Sequence, residues 1–263
     1  MLVDVHAHLF HDRFKNDLDQ VIQRARATGL KYIINSGVNH STNIQVLAQA
    51  KKYPDILYTS LGVYPLDAVA IRADFHRLIE PINVDEELAF IKKNKENIIA
   101  IGECGLDYSM NDGTEKQQQD VFRQVIELAQ HLKKPIVIHS RKAEKDTLDI
   151  LESAGAKNVV LHCFSPSMKI VKHAADLGYS FSIPAIIVRL HHFQTLVEQT
   201  SLQQLLTETD APYLTPFKEQ KSEPAFVQET IKIIAKIKKM EPEEVTKNIF
   251  ANFQKIFLAN EKN

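Results

Sequence analysis

Only two cysteines, Cys104 and Cys163, occur in 263 residues, too few for a disulfide framework and in keeping with a reducing compartment. Excess charge of one sign is also lacking. With 32 Lys and Arg against 33 Asp and Glu, the net charge of -1 excludes global attraction to polyanions as the basis of binding, so a nucleic-acid partner requires a local basic rim. No apolar run approaches a membrane span, and Asp4, His6 and His8 stand where a signal peptide requires a basic start and an apolar segment. The expected location is cytoplasmic, with no membrane partner. There is no repeat of fixed period and no low-complexity tract. No Ser, Cys or Lys sits beside a base in an activating strand-turn context, which argues against a covalent nucleophile.

What is present is an ordinary globular balance, 44% hydrophobic and 25% charged, in a length that suits one large α/β barrel. Eight apolar runs of strand length are bounded by polar, Gly or Pro residues. They are Leu2 to His6, Tyr32 to Asn35, Ile56 to Leu61, Ile98 to Glu103, Pro135 to His139, Val159 to His162, Tyr179 to Ile183 and Leu205 to Thr209. Helical patterns separate them, including Leu18 to Ala27, Thr42 to Lys52, Thr114 to Lys133 and Lys142 to Ala154. Each carries an apolar stripe and a Gly or Pro stop soon after. Lys232 to Lys239 reads as the solvated side of an outer helix, and Pro242 to Leu258 as a closing helix. Eight strand-helix units predict a single-domain (β/α)₈ TIM barrel over residues 1–263; an open doubly wound sheet is the alternative.

On that scaffold the metal-ligand residue types fall at one place. His6 and His8, two apart in a strand, point the same way. Glu103, His139 and His162 end the fourth, fifth and sixth strands, and Asp210 follows the eighth. All six lie at C-terminal strand ends, where barrel enzymes build their sites. Four His, one Glu and one Asp exceed the needs of a single zinc ion and suit two divalent cations bridged by a carboxylate. Glu103, midway in strand order, is the expected bridge. His6, His8 and Asp210 would hold one cation, and His139 and His162 the other. Asp210 is also placed to take a proton from water, so the expected chemistry is hydrolysis. Asp4 shares the parity of His6 and His8 and is expected either to fix an imidazole or to bond backbone groups. His11, His40, His76, His131, His173, His191 and His192 fall in helices or loops and are not expected to act directly. Cys104 and Cys163, each following a ligand, should point away from the site.

The segments Val3-Asp4-Val5-His6-Ala7-His8-Leu9, Gly102-Glu103-Cys104-Gly105-Leu106-Asp107-Tyr108, Ile138-His139-Ser140-Arg141, His162-Cys163-Phe164-Ser165 and Thr207-Glu208-Thr209-Asp210-Ala211-Pro212-Tyr213-Leu214 together resemble the TatD family of metal-dependent deoxyribonucleases, within the amidohydrolase-like barrels. The resemblance covers essentially the whole chain. It implies a (β/α)₈ barrel that hydrolyses phosphodiester bonds in DNA with divalent metal, commonly magnesium or manganese. Its metal ligands fall on His6, His8, Glu103, His139, His162 and Asp210, with Asp210 as catalytic base. Four imidazoles favour zinc or another late transition metal on ligand preference. Magnesium, manganese and zinc thus all stand as candidates.

The departures from the family pattern cluster around substrate. Gly62-Val63-Tyr64-Pro65 stands where members carry Gly-x-His-Pro; Tyr64 keeps a hydrogen-bond donor for phosphate but not a charge. Ser182-Ile183-Pro184-Ala185 replaces a Ser-Gly stretch, and Lys221-Ser222-Glu223-Pro224 replaces Arg-Asn-Glu-Pro. Arg141 is the first candidate for a phosphate clamp, with an ion pair to a residue such as Glu144 as the alternative. Arg189, Lys218 and Lys221 lie on connections at the expected mouth and could form a basic rim. Tyr64, Tyr108 and Tyr213 could stack on unpaired bases. The leading expectation is a two-metal phosphodiesterase acting on single-stranded or frayed DNA. A small-molecule hydrolase on the same barrel and a non-catalytic metal-binding partner protein are the alternatives. A monomer is compatible with the sequence.

Overall fold

Short runs rich in Val, Ile and Leu favour strands buried on both faces, which are covered by helices when the strands are parallel. The computed structural model describes residues 1–69, 82–110 and 113–259. Its strands are β1 (Leu2–Ala7), β2 (Leu30–Ser36), β3 (Leu57–Val63), β4 (Ala100–Asp107), β5 (Ile136–Arg141), β6 (Val159–His162), β7 (Ser180–Pro184) and β8 (Leu205–Glu208). They pair in parallel in the order β1 to β8. The helices are α1 (Leu18–Ala27), α2 (His40–Lys52), α3 (Pro65–Ala68), α4 (Val84–Lys93), α5 (Glu115–Leu132), α6 (Glu144–Ser153), α7 (Met168–Asp176), α8 (His191–Gln199), α9 (Val227–Lys238) and α10 (Pro242–Phe257).

The ring closes between β8 and β1. A parallel bridge joins Ala7 to Ala211, the His8 N–H donates to the Ala211 carbonyl at 2.7 Å, and the Asp210 N–H donates to the His6 carbonyl at 2.9 Å. Closure excludes the open sheet and places the first and last ligand-type residues side by side. α10 covers the seam from outside: Phe253 packs on Tyr32 with ring centroids 4.7 Å apart, and the Asn252 amide donates to the carbonyls of Leu202 and Leu205.

Element ends shift by a few residues from expectation, with local causes. β4 continues to Asp107 because its pairing with β5 runs through Asp107 and Arg141. α2 starts two residues early because Asn39 caps it, accepting from the Thr42 N–H while the Thr42 hydroxyl reciprocates. His76 lies outside the described residues.

One close approach depends on glycine. A Cβ at Gly62 would lie 2.4 Å from both the N and the O of Glu103 and 2.5 Å from the Gly37 carbonyl. All three are backbone atoms, and the Asn43 amide further ties Gly62 to α2. We expect Gly62→Ala to cost about 1–3 kcal/mol of stability and to displace Glu103. Urea unfolding and cation titration of the same variant check both effects.

Candidate metal centre

The imidazoles of His6, in β1, and His8, directly after it, share one side, with their Nε2 atoms 3.1 Å apart. Asp210 faces them across the seam. Its left-handed φ of 51° ends β8 in a turn closed by the Tyr213 N–H donating to the Asp210 carbonyl at 2.8 Å. Asp210 Oδ1 lies 3.6 Å from His6 Nε2 and 3.3 Å from His8 Nε2. Glu103, buried on β4, divides its two oxygens. Oε2 is 3.4 Å from His6 Nε2 and 3.2 Å from His8 Nε2; Oε1 is 3.0 Å from His139 Nδ1 and 3.7 Å from His162 Nε2.

All six side chains singled out in the sequence therefore converge at the C-terminal mouth. Three overlapping sets have donor atoms within 4.8 Å of one another: His6, His8 and Glu103; His6, His162 and Asp210; Glu103, His139 and His162. His162 is shared more widely than expected because its ring stacks on His6, with centroids 3.9 Å apart.

The charges of the cluster are strongly coupled. Burial raises the Glu103 carboxyl, but hydrogen bonds from His139, His6 and His8 outweigh it and hold the group well below the usual carboxylate range. Asp210 is also depressed, its burial overcome by His8 and the neighbouring imidazoles. Burial and the charge on His162 push His6 down, whereas His8, despite burial, is raised to about 10 by Asp210 and Glu103. Two ionised carboxylates facing four imidazoles are a donor set that fits divalent cations.

The far sides of the imidazoles are held by residues that the sequence reading did not select. The His8 Nδ1–H donates to the Ser36 carbonyl at 2.9 Å, and His6 Nδ1 lies 3.2 Å from the Ser36 hydroxyl. His139 Nε2 is 3.1 Å from Asp107, and His162 Nδ1 is 3.1 Å from Glu208. Asp107 follows Glu103 by four residues and Glu208 precedes Asp210 by two, so strand alternation was the signal that could have found both. Glu208 also accepts from the Ser182 hydroxyl and the Cys163 N–H. Asp4 takes the backbone alternative: it accepts from the N–H groups of His6 and Thr209 and from the Thr209 hydroxyl, and burial raises its pKa.

Partners that orient a metal-ligating imidazole typically contribute about 10–100-fold in cation affinity. Glu208→Gln should weaken cation binding by roughly that factor while leaving β7 paired with both β6 and β8. Calorimetric titration with manganese, alongside circular dichroism, checks this.

A cavity of about 610 Å³ opens over the cluster. Arg141 and Tyr64 line it, but the Tyr64 hydroxyl is already engaged, 3.1 Å from Asp107 and 3.4 Å from His139 Nε2. Lys221 does not line it. Its ammonium bonds Asp17 at 2.5 Å and the Arg13 carbonyl at 2.6 Å and sits 4.5 Å from the Phe14 ring centroid. The substrate contact expected of Lys221 is thereby corrected: a carboxylate 204 residues away captures the cation and pins the chain after β8 to the chain before α1. Arg189 donates to the Thr215 carbonyl, and the Tyr108 hydroxyl donates to Asp146 away from the cavity. His11, set aside in the sequence, does line the cavity, beside Phe10 and Tyr213.

Comparison with known proteins agrees with this geometry. The family profile described as TatD related DNase matches residues 3–258. An uncharacterized metal-dependent hydrolase of Methanocaldococcus jannaschii is 36% identical over 255 residues, covering 97% of this chain and 96% of that one. Deoxyribonuclease TATDN3 of Homo sapiens is 33% identical, covering 97% and 94%. A solved TatD homolog from Escherichia coli k12 superposes with a TM-score of 0.86 at 23% identity, covering 98% of each chain. No described helix is long and apolar enough to cross a membrane. With motifs, barrel and converging donors all in agreement, this chain belongs to the TatD family of metal-dependent hydrolases.

Proposed function

We propose that this protein hydrolyses phosphodiester bonds in DNA at single-stranded or frayed ends, with two divalent cations bridged by Glu103. The observation that carries the reading is the division of Glu103 between two imidazole pairs, one oxygen to each. His6, His8 and Asp210 are the proposed ligands of one cation, and His139 and His162 of the other. DNA as substrate draws support from the human relative, named a deoxyribonuclease. Cations held there would supply Lewis acidity toward a phosphoryl oxygen and an acidified water.

The chain's own groups do the rest. Asp210, held as a carboxylate by the imidazoles around it, receives the proton of the attacking water. Arg141, on the cavity wall, presents a planar guanidinium that matches two phosphate oxygens. Asp107 and Glu208 keep His139 and His162 aimed inward.

One observation favours a small-molecule substrate instead. Among the described residues, Arg141 is the one Lys or Arg on the cavity wall. Incubating the protein with labelled single-stranded oligonucleotide in magnesium, manganese or zinc separates the two readings. Cleavage lost in Asp210→Asn supports the nuclease; no cleavage with any of these metals, together with hydrolysis of a simple ester or lactone, supports the alternative.

A further inference from the structure

We infer that the β8-β1-β2 side of the cavity is a subsite for an unpaired nucleobase, walled by Phe10, His11 and Tyr213, with the attached phosphate directed to Arg141. This rests on the proposed nucleic-acid reading and assigns the parts of that substrate to opposite sides of the mouth. In a closed ring of eight strands, β1 and β5 stand across from each other. Phe10, His11 and Asp12 follow β1, Val38 follows β2, and Tyr213 follows β8, whereas Arg141 ends β5. The ligand-type cluster lies between them.

The two sides differ in chemistry. On the β1 side the rings meet edge to face: His11 and Tyr213 at 5.6 Å and 88°, His8 and Phe10 at 5.6 Å and 73°. In such a pair the edge of one ring abuts one face of the other, so the two rings do not cover each other as a stacked pair does, and Phe10 and His11 are themselves only partly buried. Among the described residues that line the cavity, this side carries no Lys or Arg, and its exposed carboxylate, Asp12, repels phosphate. The His11 ring is tethered to its own turn, its Nδ1 accepting from the Arg13 N–H at 3.1 Å. An uncharged, planar, hydrogen-bonding group is what this wall accepts. Asp12 and Gln45 supply an acceptor and an amide for a base edge. Val38, almost fully buried, adds an apolar surface.

The test uses two probes, deoxyadenosine monophosphate and deoxyribose 5-phosphate, titrated calorimetrically into the full-length protein. Base stacking on aromatic side chains is worth about 1–3 kcal/mol, or about 5- to 150-fold in affinity. The nucleotide should bind tighter than the sugar phosphate by a factor in that range. His11→Ala and Tyr213→Leu should each reduce nucleotide affinity about 10-fold without changing that for sugar phosphate; Arg141→Ala should weaken both alike. Equal affinity for the two probes, or aromatic variants that weaken both equally, would overturn the subsite. A parallel assay with oligonucleotides ending in a normal or an abasic residue separates this inference from the reading beneath it. Cleavage of both ends at equal rates by wild type and both aromatic variants overturns the subsite and leaves nuclease activity standing. Preferential nucleotide binding without cleavage of any oligonucleotide supports the subsite and removes the nuclease.

Discussion

Glu103→Gln should abolish measurable hydrolysis while leaving the barrel folded. The substitution keeps the side chain's shape but removes the charge to which four imidazoles are directed, two by each oxygen. An amide offers one oxygen acceptor and an N–H₂ donor, so it cannot serve both imidazole pairs as a carboxylate does. Charge stabilisation by bound cations is worth several kcal/mol in the transition state, and roughly 4 kcal/mol corresponds to about 10³-fold in rate. We expect kcat to fall by at least about that factor and cation stoichiometry to drop below two per chain. Steady-state kinetics with equilibrium dialysis checks both, and an unchanged far-ultraviolet circular dichroism spectrum excludes misfolding as the cause.

Asp210→Asn should separate proton transfer from cation binding. Asparagine tolerates the left-handed φ of 51° at this position better than most residues, so the turn after β8 and its bond to the His6 carbonyl should survive. The group lost is a carboxylate that burial alone would raise but that the surrounding imidazoles hold ionised at neutral pH. A positioned general base contributes about 10²–10⁴-fold. kcat should therefore fall by that amount with a much smaller change in KM. Retention of Glu103, His139 and His162 should preserve cation uptake on the β5-β6 side. Equal losses of kcat and cation stoichiometry would instead make Asp210 chiefly a ligand.

What the sequence made legible follows from periodicity and chain order. The eight strands, the shared direction of His6 and His8, and the gathering of Glu103, His139, His162 and Asp210 at one rim all depend on alternation within strands and on ring closure. The groups behind the imidazoles were less accessible. The Ser36 carbonyl that orients His8 is a backbone atom whose placement depends on how β1 and β2 pair, and backbone acceptors have no residue signature. Asp107 and Glu208 share the alternation of Glu103 and Asp210, but alternation alone does not distinguish a carboxylate that holds an imidazole from an inward one bonded to backbone groups. Lys221 shows the opposite failure: its place on the connection after β8 was correct, but long-range pairing with Asp17 decided where its ammonium went. His11 was set aside as a loop histidine, and only closure of the mouth brings it beside Tyr213.

The central claim, that one buried glutamate joins two cation sites, is tested most directly by an anomalous-difference map from a crystal grown with manganese. The account predicts two peaks about 3.5–4 Å apart, one on the His6 and His8 side of Glu103 and one on the His139 and His162 side. A single peak, or peaks that Glu103 does not touch, would contradict it.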